Sequence, residues 1–142
     1  MSKKYLFIVS FLLLLLFAQL PMSVIGDDRV YEEGTVWLII FVRTKPGMFD
    51  RYMENLNGRF RKELDVAIEK GFLLDYKIMK KWPANPDDWD VMIMEAYPNM
   101  ASFDEFQKKW DEVDAAVFKT LGERDQAIVD LESLRTILGR VI

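Results

Sequence analysis

TVWLIIFVR, residues Thr35–Arg43, is the stretch on which the fold turns. It is β-branched, aromatic and apolar almost without interruption, which reads as a strand buried on both faces. Trp37, Ile39 and Phe41 alternate with Val36, Leu38, Ile40 and Val42, so neither face is polar. Pro46-Gly47 breaks the run, with Pro46 suited to the first turn of a helix. From Met48 to Lys70 the apolar residues Phe49, Tyr52, Met53, Leu56, Phe60, Leu64, Ala67 and Ile68 fall three or four apart. They make one stripe of a long amphipathic helix that Gly71 ends. Asn57-Gly58 is the weak spot in the middle, costing about 1 kcal/mol at the glycine relative to alanine.

Further out, Phe72 to Trp82 alternates as a second strand, with Leu74, Tyr76 and Ile78 on one side. PANPDDWD, residues Pro83–Asp90, carries two prolines and reads as the turn of a hairpin. Trp89 to Tyr97 is the third strand, placing Val91, Ile93, Glu95 and Tyr97 on one face and Met92, Met94 and Ala96 on the other. After Pro98, with Asn99 or Ser102 as cap, Phe103, Phe106, Trp110, Val113, Val117 and Leu121 form a second helical stripe that Gly122 ends. A shorter third helix, from about Arg124 to Ile137, lines up Ile128, Leu131, Leu134 and Leu138, and Gly139–Ile142 begins a short last strand.

The order β-α-β-β-α-(α)-β is the split βαβ pattern: an α+β, ferredoxin-like fold with an antiparallel sheet. Amphipathic helices cover one face of such a sheet, yet both faces of Thr35–Arg43 are apolar. A two-fold copy of the chain is the simplest cover for the second face.

The first segment stands apart. Lys3 and Lys4 precede an apolar run from Tyr5 to Ala18 with five consecutive leucines, and Gln19, Pro21 and Ser23 then break it. This is the layout of a signal peptide over residues 1–26, followed by a loose lead-in over 27–34 and the domain over 35–142. The rival is an uncleaved anchor, since Tyr5–Ile25 is long enough to span a bilayer. The reading therefore expects export to a periplasmic or extracellular address, with no stable membrane association after cleavage. Loss of Lys3 and Lys4 from the 19 basic residues leaves 17 against 23 acidic ones, a charge of −6. Such an acidic product argues against nucleic-acid binding. The chain has no cysteine and no histidine, so stability rests on packing alone. Ser-His and Cys-His nucleophiles, ordinary zinc and copper centres and histidine-ligated haem are excluded with them.

TVWLIIFVR, KPGMFDRYM, PANPDDWD and the join MIMEAYPNMASFDEF together resemble the dimeric α+β barrel superfamily, from Gly34 to the C-terminus. More narrowly, they resemble a group of small exported bacterial proteins of uncharacterised function that share the leader, the PANPDDWD-like hairpin and the ILG-type ending. The resemblance implies a homodimer whose sheets enclose a barrel. The superfamily includes cofactor-independent monooxygenases, haem-degrading enzymes, chlorite dismutase-like proteins and members with no known reaction, so fold does not deliver function. The haem-dependent branches use a histidine ligand that this chain lacks.

Glu95, mid-strand between Ile93 and Tyr97, is the candidate catalytic residue: desolvation raises a carboxyl's pKa and fits it to acid or base work. Arg43 follows Trp37 and Phe41 on one strand face, placed to anchor a ligand carboxylate or to pair with Glu95. Trp37, Phe41, Tyr76, Trp82 and Tyr97 are the candidates to line a cavity for a flat apolar ligand, against the plainer reading of aromatic residues as core or interface. Met92 and Met94 form an M-x-M pair whose sulfurs suit Cu(I), but methionine is an ordinary core filler and no third ligand accompanies it. Asp87, Asp88 and Asp90 crowd the hairpin without EF-hand spacing, which favours a solvated turn over calcium. No metal and no cofactor is therefore expected. Two functions remain open: a barrel that binds a small apolar molecule, in the manner of a cofactor-independent monooxygenase, or a non-catalytic envelope module that binds another protein.

Overall fold

The structure, a computed structural model, describes Val30, Glu32 and residues 34–142. The signal-peptide reading of residues 1–26 and most of the 27–34 lead-in lie outside the described residues. Four strands form one antiparallel sheet: β1 (Val36–Thr44), β2 (Asp75–Lys80), β3 (Val91–Tyr97) and β4 (Arg135–Val141), in the order β2-β3-β1-β4. Helices α1 (Phe49–Asn55) and α2 (Arg61–Glu69) follow β1, and α3 (Phe106–Val117) and α4 (Leu121–Leu134) precede β4. This is the α+β, ferredoxin-like arrangement that the element order called for.

The core lies between the sheet and the helices. Leu38, Ile40 and Val42 of β1 and Val91, Ile93 and Tyr97 of β3 meet Tyr52, Leu56, Leu64, Val113, Leu131 and Leu134 from the helices. Only one face of β1 is fully buried, however. Its alternate residues Trp37, Ile39, Phe41 and Arg43 are half-buried on the face that no helix covers. The antiparallel register sets the parity of the neighbours: Leu38 stands opposite Glu95 and Ile40 opposite Ile93, whereas Ile39 stands opposite Met94 and Phe41 opposite Met92.

Residues 49–69 run as one helix, but with a π-helical turn over Leu56–Phe60 between α1 and α2. The spacing of the apolar residues accounts for it. Tyr52, Leu56, Phe60 and Leu64 recur four apart, and in a 3.6-residue helix each such step drifts by about 40°. A wider turn absorbs the drift and keeps Leu56 and Leu64 fully buried on the same side.

Four boundaries differ from the sequence expectation. Pro46-Gly47 forms a turn closed by Met48 N–H on the Lys45 carbonyl (2.9 Å), with Gly47 at φ +74, so the helix starts at Phe49. Asn99 and Ser102 cap a short 3₁₀ turn, Met100–Phe103, rather than the α-helix. Gly122 lies in the first turn of α4, not at the end of α3, and Leu121 is left exposed. The last helix stops at Leu134, and β4 begins at Arg135, four residues before Gly139.

Candidate functional site

The sheet separates the candidate residues into two groups. On its open face, Trp37, Ile39 and Phe41 of β1 lie beside Met94 and Met92 of β3. The Lys77 ammonium sits 5.2 Å from the Trp37 ring centroid, and Trp89 packs on Phe41 at 5.9 Å. Met79 and Val141 extend the apolar surface toward β2 and β4 and are exposed. A bulge in β4 sets two residues against one step of β1, so that Gly139 rather than a side chain lies beside Phe41.

Glu95 lies on the other side, facing the helices, and only 4% of it is exposed. The Tyr97 hydroxyl donates to its carboxylate at 2.7 Å. Burial pushes the Glu95 pKa up, and the hydrogen bond from Tyr97 and the positive charge of Arg140 pull the other way. Burial and the neighbouring carboxylate likewise raise Tyr97, whose ring packs among Phe103 (4.8 Å) and Phe106 (6.0 Å). Tyr76 stands opposite Glu95 in the register, but its hydroxyl reaches Asp65 at 3.3 Å.

The Arg43–Glu95 pair therefore does not form: the two residues sit on opposite faces of the sheet. Arg43 instead donates to the Asp88 carbonyl at 3.2 Å, tying the end of β1 to the hairpin. Trp82 does not join Trp37 and Phe41 inside a shared lining either. It stands at the hairpin, 96% exposed. The carboxylates of Asp88 and Asp90 in the hairpin are engaged by protein donors. Asp88 accepts from Lys81 Nζ (2.6 Å), Ala84 N–H (2.8 Å) and Trp89 N–H (2.9 Å). Asp90, buried, accepts from the Thr44 N–H (2.9 Å) and the Thr44 hydroxyl, while its own N–H donates to Val42 (3.0 Å).

Sequence reasoning missed a second buried carboxyl. Glu63 of α2 is 8% exposed and bonded to Arg59 at 3.0 Å, one turn earlier. Burial raises its pKa to about 7, Arg59 lowers it, and Asp114 adds to the rise. The signal was available: Glu63 is adjacent to Leu64 and three residues from Phe60, at the edge of the apolar stripe.

No family model matches the chain, and no curated protein matches it in sequence. Among solved structures, the chain is similar to a dimeric ferredoxin-like protein from an uncultured marine organism. That similarity has 12% identity and a TM-score of 0.46, and covers 78% of this chain and 90% of that one.

Proposed function

We propose that this chain is an exported protein that works as a homodimer, its two sheets packed open face to open face around a small apolar molecule. The observation that carries this reading is the open face itself. An apolar centre of Trp37, Ile39, Phe41, Met92 and Met94 is rimmed by Arg43 at one end and Asp75 and Lys77 at the other. Four strands by seven residues present roughly 450 Å² in projection, charged rim included, within the range of the largest apolar patches on monomers. An apolar centre with a charged rim also has the anatomy of a self-complementary interface. Trp37 and Phe41 then line the chamber, and Arg43 at its end fits a polar group on the ligand. Catalysis of the cofactor-independent monooxygenase kind would call on Glu95, with Tyr76 and Tyr97 on the same side. Those groups stand behind the sheet from the chamber, so binding is the better-supported half of the proposal.

Native mass spectrometry and sedimentation of residues 27–142 test it. The expected result is a dimer, with added small-molecule mass when the protein is recovered from its host. Ile39→Lys places a charge at the centre of the open face, away from the core, and is expected to weaken dimerisation roughly 100-fold with an unchanged circular dichroism spectrum. A wild-type monomer at micromolar concentration overturns the dimer and moves the function to the other reading, an envelope module whose sheet face binds a different protein.

A further inference from the structure

A cleft wraps the end of the sheet where β1, β2 and β3 meet the hairpin. One part, about 280 Å³, is lined by Phe49, Lys80, Lys81, Trp82, Pro83 and Asp90. A second part, about 450 Å³, continues past Phe49, Pro83 and Asp90 to Arg43, Lys45 and Thr136. Its floor is apolar, and Trp82 stands free at its mouth.

The charges around it do not balance. Lys81 is neutralised by Asp88 at 2.6 Å. The other three cations meet no carboxylate among the described residues. Arg43 bonds the Asp88 carbonyl, Lys45 bonds the Glu132 carbonyl at 2.8 Å, and the Lys80 ammonium lies 5.9 Å from the Phe49 ring centroid. Asp90 is the carboxylate in the wall, and both its oxygens face Thr44 donors. Four cations against two carboxylates, Asp88 and Asp90, make a positive spot on a chain whose net charge is −4.

We infer that this cleft is a binding site for a small organic acid with a flat apolar body. The ring or chain lies against Phe49, Pro83 and Trp82, and its carboxylate meets Lys80. An apolar lining beside a Lys80 ammonium that meets no carboxylate among the described residues favours an amphipathic anion over a neutral or cationic molecule of the same shape. The site goes beyond the dimer reading, because Phe49, Lys80 and Asp90 belong to the helix-covered side and not to the open face.

The test is a titration of residues 27–142 with 2-naphthoate, followed by tryptophan fluorescence and by amide NMR. Its neutral counterpart, 2-naphthalenemethanol, is titrated in parallel. The expected result is saturable binding of the acid at least tenfold tighter than the alcohol, with shifts centred on Phe49, Lys80 and Trp82. Lys80→Gln is expected to weaken the acid several-fold and leave the alcohol unchanged, and Trp82→Ala, at an exposed position, to weaken both. Ile39→Lys is expected to bind the acid as the wild type does, which separates this site from the dimer. Equal binding of acid and alcohol, no binding of the acid, or indifference to Lys80→Gln each overturns the assignment.

Discussion

At the scale of single residues, the buried polar groups do distinct jobs. Asp90 satisfies the N–H of Thr44 where β1 leaves the sheet, and its own N–H reaches back to Val42, so it pins the hairpin to the strand end. Asp90→Ala strands a buried donor and is expected to cost about 2 kcal/mol, measured by urea unfolding. Glu63 and Glu95 are acids whose folded pKa is raised above the ordinary value. A raised acid binds its proton more tightly when folded, so its contribution is present at low pH and is lost as pH rises. For Glu63 the window runs from 4.5 to about 7, and the effect is bounded at roughly 3 kcal/mol. Unfolding free energies at pH 4 to 8 should show Glu63→Gln gaining on the wild type as pH rises. Glu95→Gln should gain in the same direction, with Tyr97 still able to donate to the amide oxygen. A pH-independent difference for both variants would remove the burial account of their titration.

The secondary-structure elements show where local pattern was enough and where it was not. The three-and-four spacing of residues 49–69 announces a helix, and its run of four-residue steps announces the π turn once the drift is followed. Gly58 sits in that turn with open space where a Cβ would go and no positive φ. Gly58→Ala is therefore expected to stabilise the protein by about 0.5–1 kcal/mol. Gly71, at φ +73 just past α2, has equal room but the wrong backbone for alanine. Gly71→Ala is expected to destabilise by about 1 kcal/mol, so the same unfolding experiment must give the two variants opposite signs. The α3–α4 boundary is legible in the sequence. Thr120-Leu-Gly-Glu123 is a capping signature, and Thr120 accepts the Glu123 N–H at 3.1 Å. At the other end, Leu134 and Leu138 continue the helical spacing, so nothing in the pattern ends the helix at Leu134. Arg135–Val141 is drawn out by the free edge of β1, whose paired residues lie 91 to 102 positions away in sequence.

For the whole molecule, the open sheet face is the feature on which the proposed function stands or falls. A dimer held by that face is stabilised by mass action, so its melting temperature should rise with protein concentration. Ile39→Lys should abolish that dependence, and a concentration-independent wild type would count against the dimer. Calorimetry across a hundredfold dilution makes the comparison. The face also explains why the candidate site was only partly legible. Alternation correctly placed Glu95 with Ile93 and Tyr97, and Trp37 with Phe41 and Arg43. What it lacked was the relation between two strands. Trp37 and Glu95 each lie on an apolar strand face, and the chain does not say that these are opposite faces of one sheet.

The sequence by itself determined the elements, their order and the α+β fold. Periodicity, the stop at Gly71 and the proline-rich hairpin act over a few residues, and that information is carried locally. The absence of histidine and cysteine excluded whole classes of chemistry in the same direct way. The tertiary structure alone decided which strand faces meet the helices, where β4 starts, and that Arg43 and Glu95 stay apart. It alone also brought Phe49, Lys80 and Asp90 around one cleft. These outcomes depend on register and on contacts between residues distant in the chain, which side-chain parity within one segment cannot encode.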